Sequence, residues 1–155
     1  MRIMDFLDQD AINVDLKAKT KPEVLEELVD MLVATGEIKD RRKTLQAVIA
    51  REKICTTGFE KGVAIPHPRE GDPEAIRELA AAFGRSVKGI EFDALDGQPV
   101  HTFFLLVAPS TSEHLRALAR LARFLRDEDF RDALKEASTN RQVMKTIMDQ
   151  EKKHG

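Results

Sequence analysis

Between residues 20 and 54 the apolar positions recur every three or four residues, the period of a helix that buries one face. In "KTKPEVLEELVDMLVATGEI" the stripe is Val24, Leu25, Leu28, Leu32 and Val33. Thr20 and Glu23 have capping-box spacing, Pro22 suits a first turn and Gly36 marks an end, so the pattern predicts a complete helix. "DRRKTLQAVIAREKIC" predicts a second, with Leu45, Val48 and Ile49 inward, and the short connection predicts an antiparallel pair. The pattern then becomes extended. "ELAAAFGRSV" fits a strand, although its alanines suit a helix nearly as well. "VHTFFLLVAPS" is β-branched, aromatic and almost wholly apolar over residues 100–108, between Gly97-Gln98-Pro99 and Pro109, which fits a strand buried on both faces. "GIEFDALDGQPV" reads as a short strand or turn with a tight reversal at Asp96-Gly97. Helical spacing returns in "SEHLRALARLARFLRD", with Leu115, Leu118, Leu121, Ala122 and Leu125 as its stripe, and "DFRDALKEA" and "NRQVMKTIMDQEKK" add two more helices. Helices, strands, then helices predict an α/β sandwich: one mixed β-sheet flanked by helices, in a single domain over residues 1–155.

Composition narrows what such a domain does. A chain of 155 residues buries about 70% of the surface its unfolded form exposes, so it needs no disulfide or structural metal. Lys plus Arg number 25 and Asp plus Glu 27, a net charge of −2, which gives no reason to expect nucleic acid or an anionic membrane. The N-terminal stretch "MRIMDFLDQDAINVDL" is broken by acids and lacks an apolar leader, and Cys55 has no partner to bridge to. These features predict a cytoplasmic protein with no membrane insertion, in which Cys55 is a small buried hydrophobe.

Candidate chemistry concentrates in "TTGFEKGVAIPHPREG". Pro66 and Pro68 exclude His67 from the middle of a helix or central strand, so the imidazole sits on a stiff, irregular ledge. A lone loop histidine is most often an ordinary surface residue; two glycines and two prolines spent on one side chain favour function. His114 lies in the first turn of the helix after the buried strand, with Ser110 or Ser112 as cap. The positive end of the helix dipole there favours an anion and a neutral imidazole, and packing at a helix end is an equally good local reading. Arg51 sits near the end of the second helix, where it either complements the C-terminus or offers a guanidinium fork to phosphate oxygens by His67. His101 fits a satisfied sheet-face residue, His154 a disordered tail, and Arg116, Arg120 and Arg123 a solvated helix face. No His, Cys or acid spacing suggests a metal, and no phosphate-binding glycine motif suggests a nucleotide, so no cofactor is expected.

"AREKICTTGFEKGVAIPHPRE" followed by "FFLLVAPSTSEHLRALARLARFLRD" resembles the enzyme IIA components of the fructose/mannitol type in the bacterial phosphoenolpyruvate-dependent phosphotransferase system, including their nitrogen-regulatory branch. The Arg-Glu, Thr-Gly, Gly-Val-Ala-Ile-Pro-His and Leu-Val-Ala-Pro-x-x-x-x-His-Leu elements occur in order, and the likeness covers nearly the whole chain. The resemblance implies that His67 takes a phosphoryl group from the histidine-phosphocarrier protein through Nε2, that His114 lies beside it and that Arg51 helps to hold the phosphate. It implies as acceptor a IIB domain or regulatory target proteins, met on a shallow docking surface. The chain departs from nitrogen-regulatory members at Glu60, where many carry glycine, and at Pro68-Arg69, where a Gly-Lys pair is common; Pro68 offers no N–H to an oxyanion. With no fused IIB or membrane segment in the sequence, the reading leans to regulation over sugar uptake. A binding module of the same fold without phosphotransfer is the alternative, and retention of His67, His114 and Arg51 together argues against it.

Overall fold

The computed structural model describes residues 1–154. A 3-10 turn at Ile3–Asp5 leads into strand β1 (Leu7–Asn13), then helices α1 (Lys21–Ala34) and α2 (Arg41–Ile54), the short β2 (Val63–Ala64), β3 (Ala80–Ile90) and β4 (Val100–Val107), and finally α3 (Thr111–Phe124), α4 (Glu128–Glu136) and α5 (Asn140–His154). The four strands lie in the order β1-β3-β4-β2. β3 and β4 pair antiparallel in the centre, from Ala80 opposite Val107 to Arg85 opposite Thr102. Both outer strands run parallel to their neighbours, so the sheet is mixed as expected.

Alternation along β4 builds two cores. Phe103, Leu105 and Val107 pack with Val24, Leu28, Leu32 and Val48 of α1 and α2. Phe104 and Leu106 pack the other way, with Leu121, Phe124, Phe130 and Ile147 of α3, α4 and α5. Successive side chains of a strand point to opposite faces, so an unbroken apolar run is what a strand covered on both sides requires. Edge-on ring contacts tie the strands laterally: Phe83 to Phe104 at 5.2 Å and Phe92 to Phe103 at 5.4 Å.

Several local expectations hold. Thr20 and Glu23 cap α1 reciprocally, Gly36 ends it at φ 90°, and Ser110 caps α3 by accepting from the Glu113 N–H. The alanine-rich segment is strand.

Others are corrected. The N-terminal segment holds strand β1, which its sequence pattern does not predict: only Leu7, Ala11 and Ile12 are buried, and the register shifts between Leu7 and Ile12, so no alternation survives. On α3 the buried face is His114, Ala117, Leu121 and Phe124, and Leu115 stands 58% exposed. Cys55 is exposed, because it caps the end of α2 in extended conformation. His154 closes α5 with its ring 5.5 Å from that of Phe124, so it is no disordered tail. Arg120 is no solvated residue; it bonds Glu151 and lies over the Phe124 ring.

Candidate functional site

His67 is carried by the strand β2 and its continuation. The segment 57–65 folds back on itself as a hairpin: Phe59 N–H donates to Val63 O at 2.8 Å, Ile65 N–H to Thr57 O at 3.1 Å, and Gly58 bridges Ala64. It reverses at Lys61 and Gly62, both left-handed at φ 68° and 76°, a shape that favours glycine at the second position. Beyond β2 the chain stays beside β4, where the Leu106 N–H donates to Pro66 O at 3.0 Å. With Pro68 following, the ledge is stiff.

The ring of His67 is not freely exposed; the residue is only 8% accessible. Its Nδ1 lies 2.7 Å from the carbonyl oxygen of Ile65. A carbonyl only accepts, so Nδ1 carries the proton and Nε2 keeps its lone pair. Burial foremost holds His67 below the ordinary imidazole value; the charge of Arg51 adds to this, while the Ile65 bond and the Glu52 carboxylate act upward. At neutral pH the ring is neutral and nucleophilic at Nε2.

His114 approaches from the first turn of α3, its ring centroid 5.1 Å from that of His67. It is 2% accessible, and its Nδ1 has no hydrogen-bond partner among the described residues. Burial, and then the charge of a protonated His67, push its pKa down to about 4. Position at a helix N-terminus acts in the same direction. The pair therefore offers a lone pair on one neutral ring beside an unused polar atom on another.

The two histidines are held together by the segment after Pro68. Gly71 N–H donates to Thr111 Oγ1 at 3.2 Å, and Asp72 N–H to Ala108 O at 3.0 Å. Gly71 passes so close to the start of α3 that an added Cβ would lie 2.3 Å from the Ser110 carbonyl carbon. Only glycine permits that approach.

Arg51 comes from the last turn of α2 and donates from Nη1 to Cys55 O at 2.6 Å, the helix-end role that one of the two sequence readings gives it. The residue is half-buried, and its charge is near enough to influence His67. It lines, with Pro68 and Arg69, a cleft of about 620 Å³ between α2 and residues 68–76. The three predicted residues thus converge from α2, the hairpin and α3.

Sequence reasoning did not single out Glu52 or Lys21, which form an ion pair at 2.9 Å with the Glu52 carboxylate buried. Both look like solvated helix charges; the one available signal was that Glu52 belongs to the Arg-Glu element. His101 stands apart on β4, its Nδ1 2.9 Å from Ser86 O, as a sheet-face residue. Among the described residues no cluster of His, Cys, Asp or Glu could hold a metal ion, and no helix is long and apolar enough to cross a membrane.

The same sandwich is found in the crystal structure of the nitrogen regulatory protein IIA-Ntr from Neisseria meningitidis, with a TM-score of 0.82 and 30% identity over 92% of this chain and 97% of that one. The family "Phosphoenolpyruvate-dependent sugar phosphotransferase system, EIIA 2" matches residues 5–150, and the chain belongs to it. A nitrogen regulatory protein of Bradyrhizobium diazoefficiens is 37% identical over 151 residues, 96% of this chain and 95% of that protein. The fructose-specific EIIABC component of Bacillus subtilis is 34% identical over 154 residues, 98% of this chain but 24% of that larger protein. The chain spans about a quarter of the latter and nearly all of the former.

Proposed function

We propose that the protein is a phosphoryl carrier with His67 as the residue modified. The observation that supports this best is the bond from Nδ1–H to the Ile65 carbonyl, which leaves Nε2 as the one nucleophilic atom of a fixed, neutral ring. In the step we infer, the Nε2 lone pair attacks the phosphorus of a phosphohistidine on the histidine-phosphocarrier protein. An N–P bond forms here as the donor's N–P bond breaks, and that electron pair returns to the donor imidazole. The Nδ1 proton stays where it is. Transfer to a nucleophile of the acceptor, a IIB domain or a regulatory target, reverses the sequence.

Little covalent chemistry is asked of the protein beyond this, so catalysis rests on position and charge. His114, neutral at the start, supplies a polar nitrogen beside the entering phosphoryl oxygens, and Arg51 a cation that complements them. Ile54, at 69% exposure, and Leu115, at 58%, are apolar side chains set close in sequence to Arg51 and His114, and suit contact with a protein donor rather than a small substrate. The near-full-length likeness to a nitrogen regulatory protein is consistent with a regulatory role for the phosphorylated state, and a similar likeness to a fructose-specific EIIA component is consistent with sugar uptake.

Intact mass after incubation with phosphoenolpyruvate, enzyme I and the phosphocarrier protein tests the reading. We expect one acid-labile phosphoryl group on the wild type and none on His67→Ala. A wild type left unmodified by active relay proteins would falsify it.

A further inference from the structure

The Glu52 side chain is 4% accessible, yet it touches neither His67 nor the cleft. A carboxylate so buried requires full pairing; one of its partners, Lys21, fixes it to α1, and the other, Thr57, leads toward the site. Its Oε2 lies 2.9 Å from Lys21 Nζ, which joins the start of α1 to the end of α2. That ammonium also donates to Phe92 O at 3.2 Å and sits 4.5 Å over the Phe92 ring, so its own position is fixed. The other oxygen, Oε1, accepts from the Thr57 N–H at 2.8 Å and from the Thr57 hydroxyl. From there the hydrogen bonds continue without a break: Ile65 N–H to Thr57 O at 3.1 Å, and His67 Nδ1–H to Ile65 O at 2.7 Å.

We propose that the buried Lys21–Glu52 ion pair is the positioning element that keeps His67 in its Nδ1–H form and in register with Arg51. The ion pair grips one arm of the hairpin; the opposite arm carries Ile65, whose carbonyl decides which ring nitrogen is protonated. Glu52 is also the chain neighbour of Arg51, so one helical turn presents the cation and anchors the loop bearing the nucleophile. Lys21 and Glu52 act through Thr57 and Ile65 and touch no reacting atom. The catalytic consequence rests on the carrier reading of His67, whereas the control of its tautomer does not.

The test uses Lys21→Met, Glu52→Gln and Thr57→Val in the full chain. The first leaves Glu52 unpaired, the second keeps an oxygen acceptor but removes its charge, and the third removes only the hydroxyl bond. Imidazole 15N shifts read the tautomer of His67 with no phosphoryl donor present, and single-turnover transfer from the phosphorylated phosphocarrier protein reads the rate. Expected are a single Nδ1–H form in the wild type, a mixture of tautomers in Lys21→Met and Glu52→Gln, and transfer slowed by tenfold or more at unchanged folded fraction. Thr57→Val shows a smaller change in the same direction and carries the test if the charge variants do not fold. An ion pair that serves stability alone lowers the unfolding midpoint and leaves tautomer and rate at wild-type values, which overturns the proposal. If the wild type accepts no phosphoryl group, the carrier reading fails and the 15N shifts still decide the positioning role.

Discussion

His114 shows how much a single buried side chain decides. Its value of about 4 lies below the ordinary 6.5, so the unfolded chain takes up the proton first as pH falls. The stability it contributes is therefore complete above pH 6.5 and lost between about 6.5 and about 4, amounting to roughly 3 kcal/mol at most. His67 is shifted in the same direction and adds to the loss. Urea unfolding at pH 7 and pH 4.5 should show this gap, and His114→Gln should narrow it. A phosphoryl group on His67 would bring negative charge within the same 5.1 Å neighbourhood, so the His114 titration should move upward in the phosphorylated protein. The expected neutral imidazole agrees with the lowered value, but the causes that carry it are burial and the charge of His67 rather than the helix N-terminus from which it was read. Burial dominates, and burial was not legible, because the adjacent Leu115 looked like the better core residue. The inward face of α3 is formed by a histidine and an alanine as much as by leucines, so hydrophobicity alone rotates the helix wrongly.

Elements that follow their local signals were read well: α1 from its cap and stripe, β4 from its apolar run, α3 from Ser110. Elements defined by partners were not. β2 is two residues long and exists because Val63 and Ala64 lie against Thr102 and Phe103, and β1 is broken by a register shift; neither carries a period to detect. The close crossing at Gly71 is of the same kind. Gly71→Ala places a methyl against the Ser110 backbone, so the loop must move off α3 at a cost of about 1–3 kcal/mol. Because that crossing sets the spacing of the two histidines, phosphoryl transfer should slow together with the fall in the urea midpoint. A variant that loses stability but transfers at the wild-type rate would show that the spacing is fixed elsewhere.

At the scale of the whole molecule, two cores on opposite faces of one sheet divide the work. The α1–α2 layer supplies Arg51 and the Lys21–Glu52 pair, while the other layer supplies His114, and β4 lies between them. His67 belongs to neither layer; it hangs from the sheet itself. His67, His114 and Arg51 were visible in the sequence as separate motifs: prolines and glycines mark the first, a helix cap the second and a helix end the third, whereas Lys21 and Glu52 carry no such mark. Their convergence was not visible, because it depends on strand order.

The Leu106 amide, bonded to Pro66 O, belongs to the most buried strand of the protein and to the ledge beneath His67 at once. Solvent deuterium can reach it only when that strand separates from the ledge. Its exchange should match that of the amides in the centre of β4 where the ledge opens only with the sheet, and run faster where the ledge opens alone. Matching rates would mean that the His67 ring has no private way to melt: the ledge beneath it is lost only together with the fold.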